Sequence, residues 1–190
     1  MTTTAAYTAN RSTAESPNRW LKTYYSGRAL FSFFWVALAF TFGKSQPAVG
    51  IALLVAYPLW DCLANYVDAS RNGGWRANPS QLLNAVVSAV VAAGVIATVG
   101  ADLHLTIGVI GVWAALAGIL QLATGVRRWR SASAQWPQIL SGGQSALAGA
   151  HFISQAADAT SVLSAATVAP YAAFGAFYFA ISAGVLAWKR

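Results

Sequence analysis

Residues 105–130 read LTIGVIGVWAALAGILQLATGVRRWR. No charged side chain interrupts 105–126, and the run ends on Arg127, Arg128 and Arg130 around Trp129. A hydrocarbon core about 30 Å thick is crossed by about 20 apolar residues in helical form. Lipid offers the backbone no hydrogen-bond partner, so an apolar run of this length must bond to itself as a helix. The cationic, aromatic ending is what a chain leaving the bilayer on its cytoplasmic side shows.

Working outward, five further apolar runs share that length: 24–43, 48–67, 81–100, 137–157 and 168–188. Together the runs predict an all-α, polytopic membrane protein, six transmembrane helices arranged as three helical hairpins. Composition agrees. The 190-residue chain is 57% hydrophobic and 9% charged, where an ordinary soluble domain is about a quarter charged. So much apolar surface must face lipid. The β-branched stretch 86–99 would suit a strand in water, but its length and lack of alternation point to helix. Residues 1–23 are polar and rich in Thr, Ser and Ala, and are expected as a flexible cytoplasmic tail before a membrane domain over 24–190.

The net charge of +7 could suggest a nucleic-acid partner, but the placement of the charges excludes one. Arg11, Arg19, Lys22, Arg28, Arg71, Arg76, Arg127, Arg128, Arg130, Lys189 and Arg190 all fall on one side of a six-span scheme, and Lys44 falls on the other. Five or seven spans would scatter them, so the sorting checks the span count independently and places both termini in the cytoplasm. Membrane lipids are the expected partner. The Arg127–Arg130 cluster would attract anionic headgroups at about 1 kcal/mol per charge, and its simplest role is orientation.

The hairpins recur at roughly 55 residues, which suggests a repeated two-helix unit whose copies run parallel because two crossings return the chain to the same side. Small residues recur at four-residue spacing in Gly111/Ala115, Ala114/Gly118, Ser145/Gly149 and Ala180/Gly184. Such pairs allow close helix approach in lipid, either within the chain or between two copies of it.

Residues 114–127, AALAGILQLATGVR, and 141–150, SGGQSALAGA, resemble the span endings and openings of HdeD-like membrane proteins. The resemblance extends over roughly 24–190. It implies a bacterial inner-membrane protein built from short two-helix repeats forming six spans. It also implies a role in acid resistance, with no catalytic residue to carry over. The second span departs from the pattern, since 57–69, YPLWDCLANYVDA, places acids and an amide where small and aliphatic residues are expected.

Polar groups inside the spans are the best functional signal, because lipid makes them expensive. Asp61, Asn65 and Asp68 share one face of the second helix; Gln81, Asn84 and Ser88 share one of the third; Ser141, Gln144, Ser145, His151 and Gln155 form a stripe on the fifth. Gln121 and Thr124 close the fourth, and Arg28 lies about one turn inside the first. We expect a polar cluster of Arg28, Asp61, Asn65, Asn84, Gln144 and His151, centred between helices two, three and five and open toward the cytoplasm. A buried Asp61 must take up a proton or find a cation, and Arg28 is nearest in depth. Asp61 with Arg28 or Asn84 is equally a clasp that fixes helix packing. Asn65 and Asp68 are expected to be solvated at the interface, and His151 to be neutral and bonded to a neighbouring helix.

Cys62 stands alone, with no metal-ligand spacing, and no P-loop, GxGxxG, HExxH or nucleophile elbow is found. No enzyme, cofactor or metal site is therefore expected. Two functions remain: a non-enzymatic role of the HdeD-like kind in acid or envelope stress tolerance, and a small-solute or proton-linked transporter. The second requires polar groups through the full thickness of the membrane, and requires Asp61 and His151 to face one shared cavity with an exit on each side.

Overall fold

The computed structural model describes residues 17–188, and among them it forms six long helices: α1 Pro17–Phe42, α2 Pro47–Arg71, α3 Pro79–Thr98, α4 Leu103–Arg127, α5 Gln135–Ala157 and α6 Ala165–Trp188, with a 3₁₀ turn Trp75–Ala77 between α2 and α3. Pro47 and Pro79 open their helices, where a missing N–H costs little. Asp102 caps α4 by accepting from the Leu105 N–H at 3.0 Å. The connections 43–46, 99–102 and 158–164 lie at one end of the bundle, called the far end below. Those over 72–78 and 128–134 lie at the other, with Arg71, Arg76, Arg127, Arg128 and Arg130, the basic end.

Residues 17–23, assigned above to the tail, are instead the opening turns of α1. They are drawn into the fold by Trp20, whose Nε1 donates to Asp68 at 3.0 Å, and by Leu21, which is buried. The remainder of the expected tail, residues 1–16, lies outside the described residues.

Five of the six helices are long and apolar enough to cross a membrane; α5 is the exception. It packs against α4 and α6 and so spans with them. Its lower apolarity comes from the stripe Ser141, Gln144, Ser145, His151 and Gln155, which lines a cavity. Large apolar side chains such as Leu30, Phe34, Leu63, Val90, Ile96, Ile119 and Phe177 are exposed around the bundle, as a lipid-solvated surface requires. The chain is a polytopic helical membrane protein.

Each helix packs on its neighbours in sequence, and α6 closes on α1 to make a ring. The contacts between successive hairpins (α2/α3, α4/α5, α6/α1) are more extensive than those within them (α1/α2, α3/α4, α5/α6). The repeat is explicit at the ring's axis. Tyr57 of α2, Trp113 of α4 and Tyr171 of α6 meet edge to face, with centroids 5.5, 6.1 and 6.3 Å apart. Each is paired with a serine on the first helix of its own hairpin. Ser32 interacts with the Tyr57 hydroxyl, Trp113 Nε1 donates to Ser88 Oγ at 2.9 Å, and Ser145 Oγ donates to the Tyr171 hydroxyl at 3.0 Å. Both series advance by about 57 residues per step, so the three hairpins share one register as repeated units around the ring.

The closest helix approach is α4 on α5. A Cβ added to Gly118 would lie 2.6 Å from the Ala146 nitrogen and the Gly142 oxygen, and one on Gly149 would lie 2.5 Å from the Ala115 nitrogen and the Gly111 oxygen. The small-residue faces of these two helices are thus used within the chain and are not free for a second copy. Gly184, by contrast, has nothing within 4 Å. Gly149→Ala is therefore expected to destabilise the protein by at least the roughly 1–3 kcal/mol of an overpacked core, while Gly184→Ala is expected to be neutral or slightly stabilising. Thermal unfolding in lipid nanodiscs checks both, and equal stability of the two variants would contradict this packing.

Candidate functional site

The site starts from one charged pair. Lipid on the outside leaves Arg28 of α1 and Asp61 of α2 only the ring interior, and there they form a salt bridge with side chains 15% and 7% exposed. Asp61 Oδ2 also accepts from Asn65 Nδ2 at 3.0 Å and from Ser88 Oγ at 2.8 Å. Arg28 donates to the Tyr24 hydroxyl at 2.9 Å and lies over the Phe179 ring at 4.4 Å. Since Ser88 also accepts from Trp113, a continuous polar network joins α1, α2, α3 and α4.

Above it the ring encloses a cavity of about 550 Å³, within the usual range for a small-molecule site. Its lining runs along α5 from Ser141 to Gln155, about 21 Å at the helical rise. Asp61 and His151 both line it. Three buried polar atoms without a hydrogen-bond partner belong to lining residues: Trp60 Nε1, Asn84 Oδ1 and Gln155 Oε1. Pro170 cannot donate to the Ala166 carbonyl, and both residues also line the cavity. Each of the three side-chain atoms is sealed from the cavity itself; the unused hydrogen-bonding capacity on the wall is that of Gln144 and His151, which line the cavity and make no hydrogen bond among the described residues.

Toward the basic end lies a second cavity of about 30 Å³, sharing Arg28, Asn84, Gln121 and Phe179 with the first. A chain of amides makes the floor between them: Gln121 Nε2 donates to Gln138 Oε1 at 2.9 Å, and Gln138 Nε2 donates to Ser182 Oγ at 2.7 Å. Below it Asp68 is wholly enclosed. It accepts from Trp20, from Asn72 at 2.5 Å and from Gln81 at 3.3 Å, and it pairs with Arg128 at 3.0 Å. Arg127 binds the Gln81 side chain at 2.5 Å and the Ala77 carbonyl at 3.0 Å.

This geometry corrects several expectations. Arg28, Asp61 and Asn65 do come together, with Asn84 lining the cavity beside them, but the bonded cluster joins helices one to four, not two, three and five. Gln144 and His151 stand on the facing wall. The large cavity reaches residues near the far end, Gln155 and Thr167, whereas the basic end is closed by the Asp68 clasp. Asn65 and Asp68 are 5% and 1% exposed, not solvated, because the Asn65 amide donates to the Asp61 carboxylate and the Asp68 carboxylate is met by Arg128, Trp20, Asn72 and Gln81. His151 is exposed and makes no hydrogen bond among the described residues, with only Phe152 as a ring neighbour at 6.2 Å. Gln121 and Thr124 are not mere helix ends, since Thr124 meets the Ser80 hydroxyl at 2.8 Å. His104 lies in the first turn of α4. Its Nδ1 lies 3.3 Å from the Ala156 carbonyl, next to Asp158, whose carboxyl is held below the usual range by the Thr160 hydroxyl and N–H.

Sequence reading missed Tyr57, Trp60, Trp113, Tyr171 and Phe174 as lining residues. The recurrence of a large aromatic at about 57-residue steps in α2, α4 and α6 was the signal available.

Comparison with known proteins returned nothing: no family model, no curated protein and no solved structure matches this chain.

Truncating Asp61 alone, as in Asp61→Leu, strands a buried guanidinium and is expected to cost about 3–5 kcal/mol. The double variant Arg28→Met/Asp61→Leu is expected to lose at least about 1 kcal/mol less than the two single losses added together. Unfolding of all four proteins in nanodiscs measures this coupling, and strict additivity would mean that the pair does not interact.

Proposed function

We propose that this protein is a non-catalytic carrier that holds one small uncharged molecule inside its helix ring, with the described conformation closed at the basic end. The observation that supports it most is the cavity of about 550 Å³ inside the ring, bordered by the Arg28–Asp61 pair on one side and by Gln144 and His151 on the other. A packing clasp alone would need no cavity above it. The Arg28–Asp61 pair neutralises the interior, so a charged ligand would meet no unpaired opposite charge. Free donors and acceptors on the wall favour a ligand with hydrogen-bonding groups.

In this reading the basic end faces the cytoplasm, by the sorting of Arg and Lys, and the membrane is the bacterial inner membrane. The stress role implied by the HdeD-like resemblance is not carried into this reading, because nothing in the cavity's chemistry bears on it.

The test is binding of a series of alcohols from butanol to dodecanol, read as the rise in unfolding temperature in nanodiscs, since a ligand at 100 times its Kd stabilises by about 2.7 kcal/mol. At least one member is expected to stabilise the parent. Gly175→Leu, whose new Cβ finds the Tyr57 hydroxyl at an ordinary 3.7 Å, fills the cavity and is expected to abolish the shift while retaining the fold. No shift with any member, or an undiminished shift in Gly175→Leu, would overturn the proposal.

A further inference from the structure

The three hairpins share one register, so their seams can be compared position by position. In the first hairpin the seam between α1 and α2 is filled with aromatic rings. Phe31 stacks on Trp60 at 4.5 Å, and Trp35 packs on Tyr57 at 4.9 Å and donates to the Leu53 carbonyl at 2.8 Å. The register set by Ser32/Ser145 and Tyr57/Tyr171 places Gln144 and Ala148 of α5 where α1 carries Phe31 and Trp35. The large rings are absent from the third hairpin, as they are from the second, where Val87 and Val91 stand at the matching places, and the 550 Å³ cavity lies along the α5–α6 seam.

The residues at its edges are open. Leu147 on α5 is 74% exposed and Phe174 on α6 is 52% exposed, and both line the cavity. Pro170 is exposed beside them. These positions lie well inside a span, where the surroundings are acyl chains and not water. The edge is apolar apart from His151, while the interior carries the Arg28–Asp61 pair and the Asn84 side chain. An apolar mouth at membrane depth leading to a neutral polar interior matches a molecule with a hydrocarbon tail and an uncharged head. A phospholipid headgroup would need an unpaired cation inside, and Arg28 is already paired with Asp61.

We propose that the seam between α5 and α6 is a lateral portal, and that the ligand is an uncharged single-chain amphiphile drawn from the bilayer. Its polar head would sit by Asn84 and the Arg28–Asp61 pair, and its tail would lie against Leu147 and Phe174. This rests on the reading of the cavity as a binding site.

The test places a nitroxide at Ala148→Cys in a Cys62→Ser background, in nanodiscs. Collision is measured with oxygen, which concentrates in lipid, and with a water-soluble nickel chelate. The proposal expects oxygen to collide readily, nickel not to, and dodecanol to cut the oxygen collision rate at least twofold. Access to nickel but not oxygen would show a water-filled cavity reached from the far end; the portal would fall and the carrier reading would stand. Access to neither would mean no open cavity, and both would fall. A second measurement needs no label. Gln144→Phe/Ala148→Trp installs the first hairpin's side chains in the third, and is expected to abolish dodecanol stabilisation while leaving the unfolding temperature without ligand within a few degrees of the parent. Undiminished dodecanol stabilisation in that variant would overturn the portal.

Discussion

The Arg28–Asp61 pair is the contact on which the rest of the interior depends. A lone carboxylate or guanidinium at that depth is among the most costly groups a membrane protein can carry. Each is tolerable only because the other is present and because Asn65, Ser88 and Tyr24 complete their hydrogen bonds. That requirement draws α1, α2 and α3 together, and through Ser88 and Trp113 it reaches α4. Asp68 repeats the solution nearer the basic end with Arg128 as its cation. Two carboxylates on one face of α2 therefore gather cations from α1 and from the α4–α5 connection, tying the ring together from the inside while the small-residue contact of α4 on α5 tightens it elsewhere.

The same balance explains why the interior is polar without being charged. Each described intramembrane acid is matched by a described base, so the lining offers amides, hydroxyls and ring N–H groups instead of a net field. Such a surface orients a ligand by hydrogen bonds and selects against ions, whose desolvation it does not offset.

The helices were legible in the sequence because lipid reduces the problem to length and apolarity, and the ends were legible because Arg and Lys collect on one side. The Asp61–Arg28 pairing could be read from depth alone. The burial of Asp68 could not: it depends on Trp20 and Arg128, which are 48 and 60 positions away in the chain and meet it only once the ring closes. The cavity was invisible for a related reason. A stripe such as Gln144, His151 and Gln155 reads the same whether it faces another helix or a space, and only the size of the opposing side chains decides between the two. The lower apolarity of α5 was the one local hint, and it came from the helix that borders the space.

Where the three hairpins agree, at the Ser32–Tyr57, Ser88–Trp113 and Ser145–Tyr171 pairs, they build the axis of the fold. Where they differ, they place its chemistry. The first hairpin fills its seam with Phe31 and Trp35 and supplies Arg28 and Asp61. The third puts Gln144 and Ala148 at the matching places and leaves room. A repeated unit cannot by itself produce a site on one side of a ring, since symmetry would produce three or none. The 550 Å³ cavity lies where unlike copies meet: the first contributes the polar anchor, the third leaves room beside Gln144 and Ala148, and the middle copy, with Asn84 and Trp113, joins them.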